Sequence, residues 1–401
     1  MLLGGLTSSA IAVGTASASA PGVTSNSITI GLITSLTGPS AAEDPGIVPA
    51  AKARIALQNA KGGIDGRKIK LIVEDDGTNP VTNQTDSSLL VSKGVFGVID
   101  DSAVAFGGYK ILQKAGIPVT GGAYDGPEWF QQPNTNMFSI TGPESAKDPQ
   151  TGALALFGKQ RGAKNCGSVG YSISPSSTAA ASGYVFSCQA EGLKNAYLNN
   201  TVTFGTLSVT PLSLEIKAAG VDSLYLPLDA ETNFAILTTL QQAGVDLKFA
   251  VSATGYGQAL LSDTAALPGA QGAWFGVTGA PVELKTPATK SFQAALAKYA
   301  HYTGVPDFSW YEAWGATDLL IYGLGLAGKN PTQSRFINAL HKVTNYSVGG
   351  LEFPVNFTLK AFGKAPSRQC SYLVQLKGDA FVNPTKVCGS FLANSDQIPS
   401  A

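Results

Sequence analysis

Charge is scarce in this chain. Of 401 residues only 13% are charged, with 27 basic and 27 acidic side chains and a formal net charge of zero. No Lys/Arg cluster or basic stripe is present, which argues against a nucleic-acid partner. Histidine occurs only at 301 and 341, and no two cysteines are spaced Cys-x-x-Cys. Zinc and thiol-redox chemistry are therefore poorly supported. There is no Gly-x-Ser-x-Gly elbow and no Gly-Lys-Ser/Thr phosphate loop, so no enzyme and no cofactor are expected. No stretch reaches about 18 consecutive apolar residues, as a membrane span would need.

Apolar content is ample: 44% of residues are hydrophobic, including 18 Phe, 13 Tyr and 4 Trp. The length fits two or three domains at about 100–200 residues each. The opening MLLGGLTSSAIAVGTASASA is uncharged and ends in Ala18-Ser19-Ala20, a small-x-small pattern suited to signal-peptidase cleavage. It lacks a positive first segment and reads as the tail of a secretory signal, the alternative being a disordered leader. No cysteine lies near the cut, so no lipid anchor is expected. In a periplasmic or secreted chain, an even cysteine count suggests disulfides. Proximity in sequence pairs Cys166 with Cys188 and Cys370 with Cys388, against the alternative of four reduced core thiols.

Apolar runs alternate with helical stripes. Strands are expected at 27–33, 69–74, 95–99 and 117–120, with helices over 47–59 and 104–115 and a helix opened by Pro80. The rhythm repeats with a helix at 152–158, strands at 167–171, 224–228, 249–252 and 273–277, and helices over 177–197 and 235–243. Helices over 290–302 and 310–327 follow. Short segments at 351–353, 371–376 and 380–382 look antiparallel. This βα alternation predicts an α/β fold of two units, each a parallel-type sheet flanked by helices, plus a short β tail.

Ligands of open parallel sheets sit beyond the carboxyl ends of strands. Those ends carry Thr34, Ser35 and Thr37; Asp100, Asp101 and Ser102; Gly121, Gly122, Ala123 and Tyr124; Tyr171 and Ser172; Asp229 and Glu231; and Thr254 and Tyr256. Such residues can hydrogen-bond a small polar molecule and stack on its apolar part.

The strand and turn ITIGLITSLTGP at 28–39, and above all NAKGGIDGRKIKLIVEDDGTNP at 59–80, resemble the type I periplasmic solute-binding proteins of ABC transporters, the Leu/Ile/Val-binding group. KAGIPVTGGA at 114–123 and YEAWGATDLLIYGLGLA at 311–327 extend the likeness, which covers about residues 27–390. The resemblance implies a type I periplasmic binding protein fold with two lobes and three hinge crossovers. Residues 1–26 form the leader, 27–141 plus 280–343 lobe one, and 142–279 plus 344–395 lobe two. The crossovers fall near 140–142, 278–281 and 343–348. It further implies a monomer that captures a small-molecule solute, of the amino acid, amide or aromatic acid class, in the interlobe cleft and delivers it to ABC transporter permease subunits. The alternative is a sensory domain of the same fold, signalling to a partner.

By that resemblance Ser35, Thr37, Asp101, Ser102, Ala123, Tyr124, Tyr171, Asp229, Thr254 and Tyr256 are the candidate ligand contacts. Local capping competes for Ser35, Thr37 and Asp101, and a core position competes for Tyr171. The family's hydroxyl pair after the third strand is here Asp101-Ser102, and the family's acid after the strand at 249–252 is replaced by Thr254 or Tyr256. Both departures weaken a plain branched-chain amino-acid assignment. Asp229 or Glu231 could take an amine. Trp129, Trp274, Trp310 and Trp314 are expected in the core or hinge, and His301 and His341 on solvated helix ends. Asp75 and Asp76 are expected as strand-end caps rather than as metal ligands.

Overall fold

The computed structural model describes residues 20–122, 127–129, 134–141, 150–172, 174–204, 206, 208–361 and 370–392. In chain order these form β1 (Ser27–Thr34), α1 (Ile47–Ala60), β2 (Lys68–Asp75), α2 (Pro80–Ser92), β3 (Val98–Asp100), α3 (Tyr109–Lys114), β4 (Val119–Gly121) and β5 (Met137–Ser139). Next come α4 (Ala153–Lys159), β6 (Asn165–Tyr171), α5 (Pro175–Ala190), β7 (Lys194–Val202), α6 (Thr210–Ala218), β8 (Ser223–Leu226), α7 (Ala230–Gln242), β9 (Phe249–Ser252), α8 (Gln258–Ser262) and β10 (Trp274–Val277). The last are α9 (Pro287–Tyr299), α10 (Phe308–Ala327), α11 (Gln333–Leu340), β11 (Cys370–Lys377) and β12 (Ala380–Cys388).

Two sheets result. The first has the order β2-β1-β3-β4-β5 and is parallel throughout. The second runs β7-β6-β8-β9-β10 in parallel, then adds β11 and β12 antiparallel. Each parallel set therefore places its first strand second from the edge, with the next strand outside it. That arrangement creates one switch point per sheet, between β1 and β3 and between β6 and β8, where neighbouring connections diverge and leave a crevice. The chain passes from the first sheet to the second after β5, returns after β10 through helices α9–α11, and crosses again before β11. The return helices pack on the first sheet through α1, β3 and β4.

β1 shows why a parallel sheet forms. Ile28, Ile30 and Leu32 face one side and Ile33 the other, all with no exposed surface, as expected when helices cover both faces. α10 is buried nearly all round, with Trp310, Tyr311, Trp314 and Leu319 among its buried side chains. Trp129 and Trp274 are buried as well.

Several expectations need correction. The expected helix over 177–197 ends at Ala190, because Gly192 takes φ +77° and starts a turn into β7, whose half-exposed face hides its strand character. The expected helix over 104–115 splits into a 3-10 turn at Ala105–Gly107 and the short α3. The expected strand at 351–353 is a turn following a 3-10 segment at Val348–Gly350. His341 is not solvated: its ring nitrogens lie 2.8 Å from the Phe357 carbonyl and 2.7 Å from that of Thr135. His301 is exposed. Both disulfides form, Cys166–Cys188 between β6 and α5 and Cys370–Cys388 across β11 and β12. Among the described residues no helix is long and apolar enough to cross a membrane.

Candidate functional site

At the carboxyl end of the first sheet, parallel register sets Thr34 beside Asp75 and Ile33 beside Asp100. The next residues, Ser35, Asp76 and Asp101, therefore share one crevice. Asp76 is its hub. It accepts from the Ser35 hydroxyl (2.7 Å), the Ser102 hydroxyl (2.5 Å), the Asn83 amide (3.1 Å) and the Thr78 backbone N–H (2.9 Å). Ser35, Asp76, Asp101 and Ser102 are all buried. Asp100 beside them has its pKa pushed well above the usual range, first by burial, then by Asp76 and Glu128.

Thr37 is exposed and donates to Asp75 Oδ2 at 2.8 Å, while the amides of Leu36 and Thr37 reach Asp75 Oδ1 at 2.8 and 3.1 Å. Desolvation opposes the Asp75 charge, but the Thr37 hydroxyl and the Gly77, Thr37 and Leu36 amides outweigh it and hold the pKa below 3.8. Gly38 follows at φ +87°, and a Cβ there would come 2.1 Å from the Gly77 carbonyl oxygen. Only glycine lets this turn close against the β2 loop.

In the second unit, Tyr171 donates to Asp229 and lies 3.1 Å from Thr232 Oγ1. Asp229 also caps α7 by accepting the Thr232 N–H at 2.8 Å. Thr254 donates to the Leu228 carbonyl at 2.7 Å. Tyr256 donates to Glu283 Oε2 at 2.8 Å and accepts the Val282 N–H at 3.3 Å, tying the loop after β9 to the segment that follows the second crossover.

Loops from the two units enclose a cavity of about 160 Å³. One wall holds Pro39, Glu43 and Pro45 from the β1–α1 loop, with Asp307 and Phe308 from the start of α10. The other holds Asp229 and Glu231 before and within α7, Thr254 and Tyr256 after β9, and the rings of Phe204 and Phe234. Among the described residues lining it there is no Lys or Arg. Glu43 has its pKa pushed up to about 8, first by burial, then by Asp229 and Glu231. Asp44 next to it is raised by burial, then by Asp101, Glu43, Asp76 and Asp307.

Of the ten candidate contacts, Asp229, Thr254 and Tyr256 line this cavity. Ser35, Ser102 and Thr37 spend their hydroxyls on Asp76 and Asp75. Neither Asp101 nor Tyr171 lines the cavity; Tyr171 acts through Asp229. Ala123 and Tyr124 lie outside the described residues. Sequence reasoning missed Glu43, Phe204 and Phe308. Glu43 had one signal: it is the first charged residue of the chain, five positions after the Gly38 turn. Two other hollows, of about 200 Å³ beside Leu237 and Val245 and about 420 Å³ between α1 and α10, lie away from the strand ends that form the crevice. Among the described residues no group of three His, Cys, Asp or Glu could hold a metal ion.

Two α/β units of equal strand order, with strand-end loops meeting over one cavity, define a two-lobed binding protein. The profile of the periplasmic binding protein family matches residues 27–380, and the chain belongs to that family. It is similar to the Leu/Ile/Val-binding protein homolog 3 of Brucella melitensis, 25% identical over 336 residues, or 81% of this chain and 87% of that one. It is also similar to the Leu/Ile/Val-binding protein BraC3 of Rhizobium johnstonii, 26% identical over 204 residues, a match spanning 49% of this chain and about half, 53%, of that relative. Among solved structures, a fatty acid ABC transporter substrate-binding protein from Thermomonospora curvata superposes with a TM-score of 0.77 at 20% identity, covering 95% of this chain and 97% of that one. This last likeness speaks for the fold.

Proposed function

We propose that the protein is an exported solute receptor, acting as a monomer, that captures a small amphipathic molecule in the interlobe cavity and hands it to the permease of an ABC transporter. The observation that carries this reading is the cavity itself, walled by Glu43 and Phe308 on one side and by Asp229, Thr254 and Tyr256 on the other. A solute bound to one wall gains the contacts of the other only when the lobes close. It shifts the open–closed balance by its differential affinity for the closed state. Three chain crossings give such a closure its hinge, and the closed shape is what a permease would read. The two disulfides suit an oxidising compartment outside the cytoplasm. The names of the relatives similar in sequence, Leu/Ile/Val-binding proteins, are in keeping with an amphipathic ligand.

A thermal-shift screen against a metabolite library tests the proposal. A ligand at 100 times its Kd stabilises by about 2.7 kcal/mol, and small-angle scattering on the hit should then show compaction. Tight binding without compaction would refute closure, and the absence of any ligand would refute solute capture.

A further inference from the structure

The composition of the cavity walls narrows the solute. Acidic residues line both sides, Glu43 and Asp307 on one and Asp229 and Glu231 on the other, with Asp307 and Asp229 also capping α10 and α7, and no Lys or Arg is among the described lining residues. The remaining surface is largely apolar or aromatic, from Phe204, Phe234, Leu260 and Phe308. Resting on the solute-binding reading above, we propose that this cavity takes a cationic amine or guanidinium joined to a compact apolar body, and discriminates against carboxylates.

Three observations converge. Glu43 lines the cavity and its Oε1 has no hydrogen-bond partner, so a ligand donor would satisfy it once the neighbouring side chains shift to admit one. Acidic residues stand on both walls, Glu43 and Asp307 facing Asp229 and Glu231, with no Lys or Arg among the described lining residues to pair a carboxylate. An anion would thus find acidic side chains on both walls and no basic partner among the described lining residues. The aromatic rings, finally, offer their faces to a cation as well as an apolar surface to the ligand body.

Binding of a cation carries a proton signature. Glu43 faces Asp229 and Glu231 across the cavity, with Asp44 on its own loop, and Asp307 and Tyr256 also close on this space. Burial and this acidic company keep Glu43 protonated at neutral pH, with a pKa of about 8. An arriving ammonium favours the carboxylate and expels that proton to buffer. Amine affinity therefore rises with pH towards 8.

The test is a calorimetric and thermal-shift comparison on the full chain. It uses amine, zwitterion and carboxylate members of matched phenyl, indole and branched-alkyl series, alongside the general library. Amines should bind at least tenfold tighter than their carboxylate partners, and release close to one proton at pH 7 when buffers of different ionisation enthalpy are compared. The double variant Glu43→Gln, Glu231→Gln should keep its fold and lose at least tenfold in amine affinity. A carboxylate, zwitterion or neutral solute that binds as tightly or more tightly overturns the cation assignment and leaves solute capture standing. So does amine binding unchanged in the double variant. No binding in any class removes both readings.

Discussion

Ser102, one of the candidate ligand contacts, gives its hydroxyl to Asp76 at 2.5 Å within a buried polar frame. The same carboxylate takes Ser35 at 2.7 Å. Both hydroxyls tie the loops after β1 and β3 to Asp76 in the loop after β2.

The two roles separate by mutation. Ser102→Ala should lower stability by about 1.5–3 kcal/mol, as for a hydrogen bond to a charged group, and leave solute affinity within about twofold. Asp76→Ala strands two hydroxyls, the Asn83 amide and the Thr78 N–H, and should lower stability by about 3–5 kcal/mol. Denaturant titration reads both, and a large loss of affinity in a folded Ser102→Ala protein would return Ser102 to the site.

Stability of the ligand-free protein should fall as pH rises from about 4.5 to 8. Glu43 has a raised folded-state pKa, from 4.5 to about 8, so across that window the folded state holds a proton that the unfolded state has released. Each pH unit upward then weakens the fold, by roughly 1.4 kcal/mol at most for one such group. Asp86, pushed to about 6 by burial and then by Glu74, Asp76 and Asp75, adds in the same direction. Asp75, held low, acts oppositely: its stabilisation is present above 3.8 and lost as pH falls further. Urea unfolding at pH 5 and pH 8 measures the slope, and Glu43→Gln should flatten it.

Tyr256→Phe keeps the ring beside Phe381, at 4.8 Å between centroids, but removes the bond to Glu283. Burial already raises the Glu283 pKa, and losing its donor should destabilise by about 1–3 kcal/mol. The loop after β9 would also loosen from the second crossover, seen as faster hydrogen exchange over 254–257.

The disulfides should differ in access. Cys166 and Cys188 are fully buried, within a cluster including Ala155, Tyr184 and Val185, whereas Cys388 is exposed. Dithiothreitol under native conditions should open Cys370–Cys388 first and reach Cys166–Cys188 only when denaturant is added. Replacing Cys166 and Cys188 together by Ala should lower stability by about 2–4 kcal/mol.

What the sequence made legible follows from local chemistry. Strands buried along almost their whole length, such as β1 and β9, are rich in apolar residues, and Asn79-Pro80 announces α2 with a cap whose side chain accepts from the Val81 N–H at 2.8 Å. β7 was hidden because its half-exposed residues mix Tyr, Leu and Asn in no clean alternation, and Phe204 of the cavity lies just beyond it. The capture of Ser35 and Ser102 by Asp76 depends on the register of three strands and has no local signature. Glu43 escaped notice for a similar reason. Its loop of Ser, Ala and Pro has no period, and only the fold brings it against Asp229 and Glu231.

Hydrogen exchange with and without a saturating screened ligand tests interlobe capture most directly. Solute capture predicts that amides slow together in both walls, at residues 40–44 and at 229–234 and 254–257. A tightly bound ligand that protects only one wall, or neither, would contradict it.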